Sequence, residues 1–283
     1  MKTDRETTVG ILGERGSFDH QAARDLVGEG VGVRIEPNPE LLVAALERGD
    51  LDRMVLPIEN AVTGSIHENY DRLRRHALWI AGETQVTLRY SLVARPGASL
   101  ASVRRVAATL AALTHCQRFF EQRPHLEPVV TAEAGVSLLQ RDGPVTLAAL
   151  VPCFLARWSG ASVLIEEVGD DTGNATRYLL LAARPVVLEH ADKTSLLFVL
   201  RNAPGALFRA LGAFASRGLD LTKIESRPLR GRPWEYAFYL DVLGDPRGPV
   251  RAALEELGRM SQELRVLGSY PEGLRRGADR EAV

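Results

Sequence analysis

Thr176 and Arg177 stand side by side at the start of the apolar run 178–183, directly after the turn-forming stretch Gly169–Asn174. A threonine hydroxyl can donate a hydrogen bond, or a proton, to a leaving oxygen. A guanidinium grips a carboxylate in a fixed fork. Neighbouring strand residues face opposite ways, so a cleft that receives Thr176 turns Arg177 away. The plain readings are a strand-start threonine and a structural ion pair. A second group is Gly16-Ser17-Phe18, where Ser17 is the N-cap of a predicted helix. Amides at a helix start favour an anion, so Ser17 and Phe18 are candidates for a substrate carboxylate, a role compatible with capping. Glu59-Asn60 ends an apolar strand, where α/β sheets place ligands. Asn60 can hydrogen-bond substrate. Glu59 would repel an anion and is read as a brace for the loop. Gly64 would let the backbone come close. His20 and His67 match no metal-ligand spacing, and the chain has no Walker loop or G-x-G-x-x-G. No metal or cofactor is expected.

The elements that must position these groups follow from caps and periodicity. Strands are predicted over 7–13, 31–37 and 53–60, and helices over 17–27 and 38–52, with Asn38 as cap and Pro39 opening the second. This β-α-β-α-β rhythm gives a mostly parallel sheet with helices on its faces. A helix over 64–76 and strands over 78–85 and 87–96 lead into a second α/β lobe. That lobe reads as a strand fragment and helix over 102–122, a helix over 132–143, a strand over 144–151, a helix over 152–160 and a strand over 162–170. The Thr176 strand returns to the first lobe. A charged, proline-containing stretch over 182–192 then precedes a βαββαβ unit. The division expected is a catalytic part over 1–187, with lobes of roughly 8–82 plus 174–187 and 83–173. A unit over 188–272 follows, and a fraying polar tail over 273–283.

Bulk properties narrow the function classes. Of 283 residues, 45% are hydrophobic and 25% charged, and the formal net charge is -1. Nothing advertises nucleic acid or a membrane as partner. The polar start lacks an apolar segment, so no secretory signal is read and a cytoplasmic location is expected. Cys116 and Cys153 are too few for a disulfide framework and are read as core thiols.

Three stretches together resemble the prephenate dehydratase family: "LGERGSFDHQAA", "LPIENAVTGSIHENYDRL" and "NATRYLLL". The last eighty or so residues resemble an ACT regulatory domain, with "GALF" at 205–208 and "ESRP" at 225–228. The resemblance implies an α/β fold: a two-lobed, periplasmic-binding-protein-like catalytic domain plus a ferredoxin-like βαββαβ domain. It implies loss of water and carbon dioxide from prephenate to give phenylpyruvate, in phenylalanine biosynthesis, without cofactor. Thr176 is then the hydroxyl donor, and Ser17, Phe18, Asn60, Gly64 and Arg177 hold substrate. L-Phenylalanine is implied as effector, bound by Gly205, Ala206, Leu207, Phe208, Glu225, Ser226 and Arg227 within a homodimer or homotetramer. The amides of the helix opened by Pro204-Gly205 would take its carboxylate. Glu225 would take the ammonium or bridge to Arg227, and Leu207 and Phe208 would line the ring slot.

The cleft segments depart from the family pattern. Ala61 stands where a serine is usual, Asn69 where a threonine is, Tyr90 where a histidine is, and Tyr178 where a phenylalanine is. In the segment that usually reads S-H-P-Q-A-L, Thr109 and Ala111 replace histidine and glutamine. Losing polar groups that face a dianion means an altered substrate, slower turnover or lost catalysis. Alternatives are therefore a dehydratase or decarboxylase for arogenate or a modified prephenate, and a catalytically silent phenylalanine sensor.

Overall fold

A computed structural model describes residues 7–132, 136, 139, 144–157 and 159–273. The expected helix over 132–143 falls largely outside them, as does the tail beyond 273. The first sheet contains β1 (Thr8–Ile11), β2 (Gly32–Ile35), β3 (Arg53–Asn60), the short β4 (Gly64–Ser65), β5 (Trp79–Thr87) and β11 (Ala175–Ala182). Its order is β2-β1-β3-β11-β5, with β4 paired to β3. β1 runs parallel to β2 and β3, and β11 is antiparallel to both its neighbours. Three helices join these strands: α1 (Phe18–Val27), α2 (Pro39–Glu47) and α3 (His67–Arg75).

Caps set the helix starts as the sequence foretells. Ser17 Oγ accepts from His20 N at 3.3 Å, and Asn38 Oδ1 accepts from Leu41 N at 2.9 Å. Pro39 opens α2, whose Leu42, Val43, Ala45 and Leu46 are buried.

The second sheet runs β10-β6-β9-β7-β8, from β6 (Tyr90–Ala94), β7 (Arg105–Ala108), β8 (Glu127–Val130), β9 (Leu147–Pro152) and β10 (Ser162–Ile165). The helix expected within 102–122 is broken at Cys116 into α4 (Leu110–His115) and α5 (Gln117–Glu121), and α6 (Cys153–Ala156) follows β9. β5 stays in the first sheet through Thr87, paired to Ala175. The chain therefore crosses to the second lobe at Leu88–Arg89, later than the boundary at 83 read from the sequence.

The third sheet is antiparallel, in the order β13-β14-β12-β15: β12 (Lys193–Leu200), β13 (Leu221–Pro228), β14 (Tyr236–Leu243) and β15 (Ser261–Tyr270). α7 (Ala206–Ala215) and α8 (Val250–Met260) cover one face, where Phe198, Phe214 and Leu257 pack. The other face does not meet solvent. Leu197, Val199, Leu267 and Tyr270 share one core with Leu56, Ile58, Ile80, Leu179 and Leu181 of the first sheet. Every residue of β12 is buried because both its faces are covered. The two backbones meet closely at Gly268, where a Cβ would lie 2.1 Å from Ile80 O.

A buried charge cluster lies in the same interface. The Arg177 guanidinium meets Glu83 at 2.5 Å and 2.6 Å, Asp241 at 2.7 Å, Glu59 at 3.3 Å and the Tyr270 hydroxyl at 3.2 Å. Lys193 Nζ joins Glu83 at 2.9 Å, and Ser195 Oγ donates to Asp241 at 2.5 Å. Burial works against the Arg177 charge, but the surrounding acids outweigh it and hold the guanidinium protonated. Expected as a substrate ligand, Arg177 instead faces the third sheet, because β11 sends its alternate residues to the opposite face. Among the described residues, no helix is long and apolar enough to cross a membrane.

Two stability measurements test this interface. Gly268→Ala forces the Ile80 backbone to shift and should cost about 1–3 kcal/mol in urea unfolding, as overpacking does. Arg177→Met strands the Glu83 and Asp241 carboxylates in an apolar interface and should cost about 3–5 kcal/mol. A loss too small to resolve in either variant would mean that the sheets are not held as described.

Candidate active site

β3 and β11 pair antiparallel with Asn60 opposite Thr176 and Glu59 opposite Arg177. The first pair shares the face on which α1 packs; the second shares the face toward the third sheet. Asn60 is the organising residue of the first face. Its Nδ2 donates to Thr176 Oγ1 at 3.0 Å, Asn174 Oδ1 at 2.7 Å and Ala175 O at 3.1 Å. Its Oδ1 accepts from Val62 N at 3.0 Å, Thr63 N at 2.9 Å and Thr63 Oγ1 at 3.3 Å, so the 61–63 turn is folded around one amide. Gly64 follows at φ +83° and pairs with Asn60. Asn174 lies 2.9 Å from His115 Nδ1 on α4 and so ties the first lobe to the second. Burial holds the His115 ring below its ordinary basicity, partly offset by Asp170.

Thr176 was expected on an open pocket rim. Its side chain is instead enclosed, at 6% exposure, beneath this network. The open space lies elsewhere between the lobes, and neither Thr176 nor Asn60 lines it. A cavity of about 430 Å³ between the lobes is lined by Ser17, Phe18, Asp19, Glu14, Glu36, Tyr90, Thr109, Ala111 and neighbours. Phe18 packs edge-on against Tyr90 at 5.3 Å, and Tyr90 stacks on His115 at 6.2 Å.

Asp19 forms one wall. Burial pushes its carboxyl up to about 7, while its own backbone N–H and the Tyr178 phenol favour the ionised form. Tyr178 lies two residues from Thr176 on the same face of β11, and its phenol is raised by burial and by Asp19. This contact joins the two chain segments that flank the site, α1 and β11, and sequence reasoning missed it. The signal present in the sequence was a phenol, at 178, where the resembled family has phenylalanine.

At the start of α1 most amides are already engaged, Phe18 N being the exception in the hydrogen bonds described. Gly16 N donates to His20 Nδ1 at 2.9 Å, Ser17 N to Glu14 O at 3.1 Å and His20 N to Ser17 Oγ. The Asp19 N–H serves its own carboxylate. Ser17 caps α1 and also lines the cavity, a position compatible with the carboxylate role expected of it. Phe18 keeps its place in the cleft wall.

The segments expected to hold an effector divide in the same way. On β13 the odd-numbered Lys223, Glu225 and Arg227 turn toward the first lobe. Glu225 accepts from Ser65 Oγ at 2.5 Å and lies 3.4 Å from His67, and Arg227 binds Asp71 at 3.0 Å and 3.1 Å. Glu225 and Arg227 are thus committed to the first lobe, which corrects their assignment to an effector. Ser226 and Ile224 point outward with Phe208, which is 80% exposed, while Leu207 is half-buried. Gly205 starts α7 at φ +73° without a side-chain cap, ahead of Ala206. Cys116 is buried and its thiol is pushed up to about 12 by burial, as befits a core thiol; Cys153, half-buried, lies 2.9 Å from Ser91 Oγ.

The prephenate dehydratase family profile matches residues 9–186, and the ACT domain profile matches residues 194–258. Arogenate dehydratase/prephenate dehydratase 2, chloroplastic, of Arabidopsis thaliana is 36% identical over 280 residues, 92% of this chain and 74% of that protein. The crystal structure of prephenate dehydratase from Arthrobacter aurescens with L-Phe superposes with a TM-score of 0.81 at 30% identity, covering 94% of this chain and 90% of that one. GqqA, described as a novel type of quorum-quenching acylase, superposes with a TM-score of 0.84 at 28% identity, covering 94% of this chain and 98% of that one. With both catalytic and ACT segments matched in order, the chain belongs to the prephenate dehydratase family of lyases.

Proposed function

We propose that this enzyme converts prephenate, or its amino-acid form arogenate, to an aromatic product by decarboxylating dehydration, under control by L-phenylalanine. The observation that carries the reading is the buried Asn60–Thr176 pair on two interior strands, linked through Asn174 to His115, whose ring stacks on Tyr90 of the inter-lobe cavity. Asn60 Nδ2 donates to Thr176 Oγ1, so the threonine's own proton is directed elsewhere. In the reaction the ring carboxylate leaves as carbon dioxide, and its C–C electron pair becomes a ring π bond. The ring C–O bond breaks while Thr176 donates a hydrogen bond to the departing oxygen, which takes a proton supplied from solvent and leaves as water. A threonine hydroxyl is a weak acid, so its contribution is a positioned hydrogen bond that strengthens as charge builds on the leaving oxygen.

Phenylalanine control is supported by the ACT match and by the L-Phe in the Arthrobacter aurescens structure. Here the uncapped start of α7 would take the effector carboxylate, with Leu207, Phe208 and Ser226 beside it. Because Phe208 and Ile224 stand exposed, that site is completed by a second copy of the chain, in a homodimer or homotetramer. One observation favours a second reading. Tyr90, Thr109 and Ala111 stand where the resembled motifs carry two histidines and a glutamine, a loss that a phenylalanine sensor without catalysis would tolerate.

Purified enzyme supplied with prephenate and with arogenate, with and without phenylalanine, separates the two. Phenylpyruvate or phenylalanine should form, and Thr176→Ala should lower kcat by ~100-fold with little change in KM. Wild-type turnover in Thr176→Ala removes the catalytic assignment. Phenylalanine binding with no product from either acid establishes the sensor.

A further inference from the structure

The wall of the cavity has an unusual charge for a family that handles dicarboxylates. Glu14, Asp19 and Glu36 line it, and among its described lining residues there is no arginine, lysine or histidine. Tyr90 and Thr109 occupy the two places where the resembled motifs carry histidines. Glu36 has a counterion, Arg34, at 2.8 Å. Asp19 has instead the neutral phenol of Tyr178. Prephenate and arogenate share the ring, the ring hydroxyl and both carboxylates. They differ at one side-chain carbon, which is a ketone in prephenate and carries an ammonium in arogenate. A carboxylate in an enclosed wall repels the keto dianion and stabilises the ammonium.

We propose that Asp19, oriented by Tyr178, is the specificity-determining residue of this cleft and takes the side-chain ammonium of arogenate, so that the amino acid is selected over prephenate. This rests on the dehydratase reading above. Tyr178 holds the carboxylate from β11, Tyr90 stands beyond it on β6, and Glu14 and Glu36 face the same cavity from the loops around α1 and β2. The resting carboxyl gives up its proton near neutrality, so the two acids respond oppositely to pH. Ammonium binding requires the ionised form: arogenate binding should tighten by ~10-fold from about pH 6 to about pH 8, releasing a proton. Prephenate binding should weaken over the same interval.

The test compares kcat/KM for the two acids in wild type, Asp19→Asn and Tyr178→Phe. Dissociation constants from calorimetry are measured in parallel. Wild type should prefer arogenate by ~10-fold or more, the scale of a hydrogen bond to a charged group, and Asp19→Asn should lose both the preference and the opposed pH slopes. Tyr178→Phe removes a bond that favours the ionised carboxyl, so it should keep the preference but move the pH midpoint upward. Equal use of the two acids by wild type, or an arogenate preference intact in Asp19→Asn, overturns the proposal. If Asp19→Asn does not fold, an unmoved midpoint in Tyr178→Phe overturns it instead. Should neither acid be turned over, the dehydratase reading falls while the dissociation constants still decide the selectivity.

Discussion

One register governs this molecule. β3 and β11 lie antiparallel with Asn60 opposite Thr176 and Glu59 opposite Arg177, and the pleat sends the two pairs to opposite faces of the sheet. On one face is a neutral amide–hydroxyl network around the inter-lobe site. On the other is a charge cluster that fastens the third sheet. The candidate donor and the interdomain guanidinium are consecutive residues. A shift of the third sheet that drags Arg177 must therefore move the peptide that carries Thr176. Coupling of this kind is reciprocal: a substrate that prefers one position of β11 biases the third sheet by the same free energy.

The nature of the fastening explains why this link is stiff. An exposed ion pair contributes little, but a buried one resists separation because each charge left alone lacks both water and partner. Arg177, Glu83 and Asp241 are each nearly excluded from solvent, and Lys193 and Tyr270 fill the remaining bonds of the cluster. Around them the two sheets share a single apolar core, with Gly268 permitting backbone contact. The third sheet is thus built into the first lobe. The second lobe meets the first through the crossings near Leu88 and Asn174, the His115–Asn174 contact, and the packing of Phe18 on Tyr90 and His20 on Phe154, with no shared buried ion cluster among these contacts. Opening of the cleft is therefore expected between the lobes, with the third sheet travelling with the first.

The sequence reveals local structure better than it reveals direction. Ser17, Asn38 and Pro39 announce helix starts because capping is a local interaction, and the βαββαβ order is plain from its periodicity. The departures from expectation are residues whose meaning depends on a distant partner. Alternation requires Thr176 and Arg177 to diverge, but only the packing of a sheet that begins at Lys193 decides which of them meets the cleft. Glu225 and Arg227 read as an effector clamp until β13 is seen lying against α3, where Ser65, His67 and Asp71 engage them. The Asp19–Tyr178 contact joins positions far apart in the chain, and neither residue is informative alone. Asn174 was within view, two residues before Thr176, but its bonds to Asn60 and His115 close only in three dimensions.

The altered cleft residues have the character of a refitted site. Polar positions that lose their partners in a decaying pocket are left buried and unsatisfied, at a cost of about 1–3 kcal/mol each. That signature is weak here. Among the described residues, Glu36 is the cleft residue with a buried oxygen that accepts no well-directed hydrogen bond, and that oxygen ion-pairs Arg34 at 2.8 Å. The substitutions have work of their own. Thr109 caps α4 by accepting from Ala112 N at 3.2 Å. Tyr90 packs between Phe18 and His115. Asn69 lies outside the cavity wall, donating to Pro57 O at 2.6 Å and accepting from Arg72 at 2.8 Å. Tyr178 brings a phenol and Asp19 the carboxylate that receives it. Two histidine positions of the resembled motifs have gone, and Glu14, Asp19 and Glu36 stand in the cavity wall.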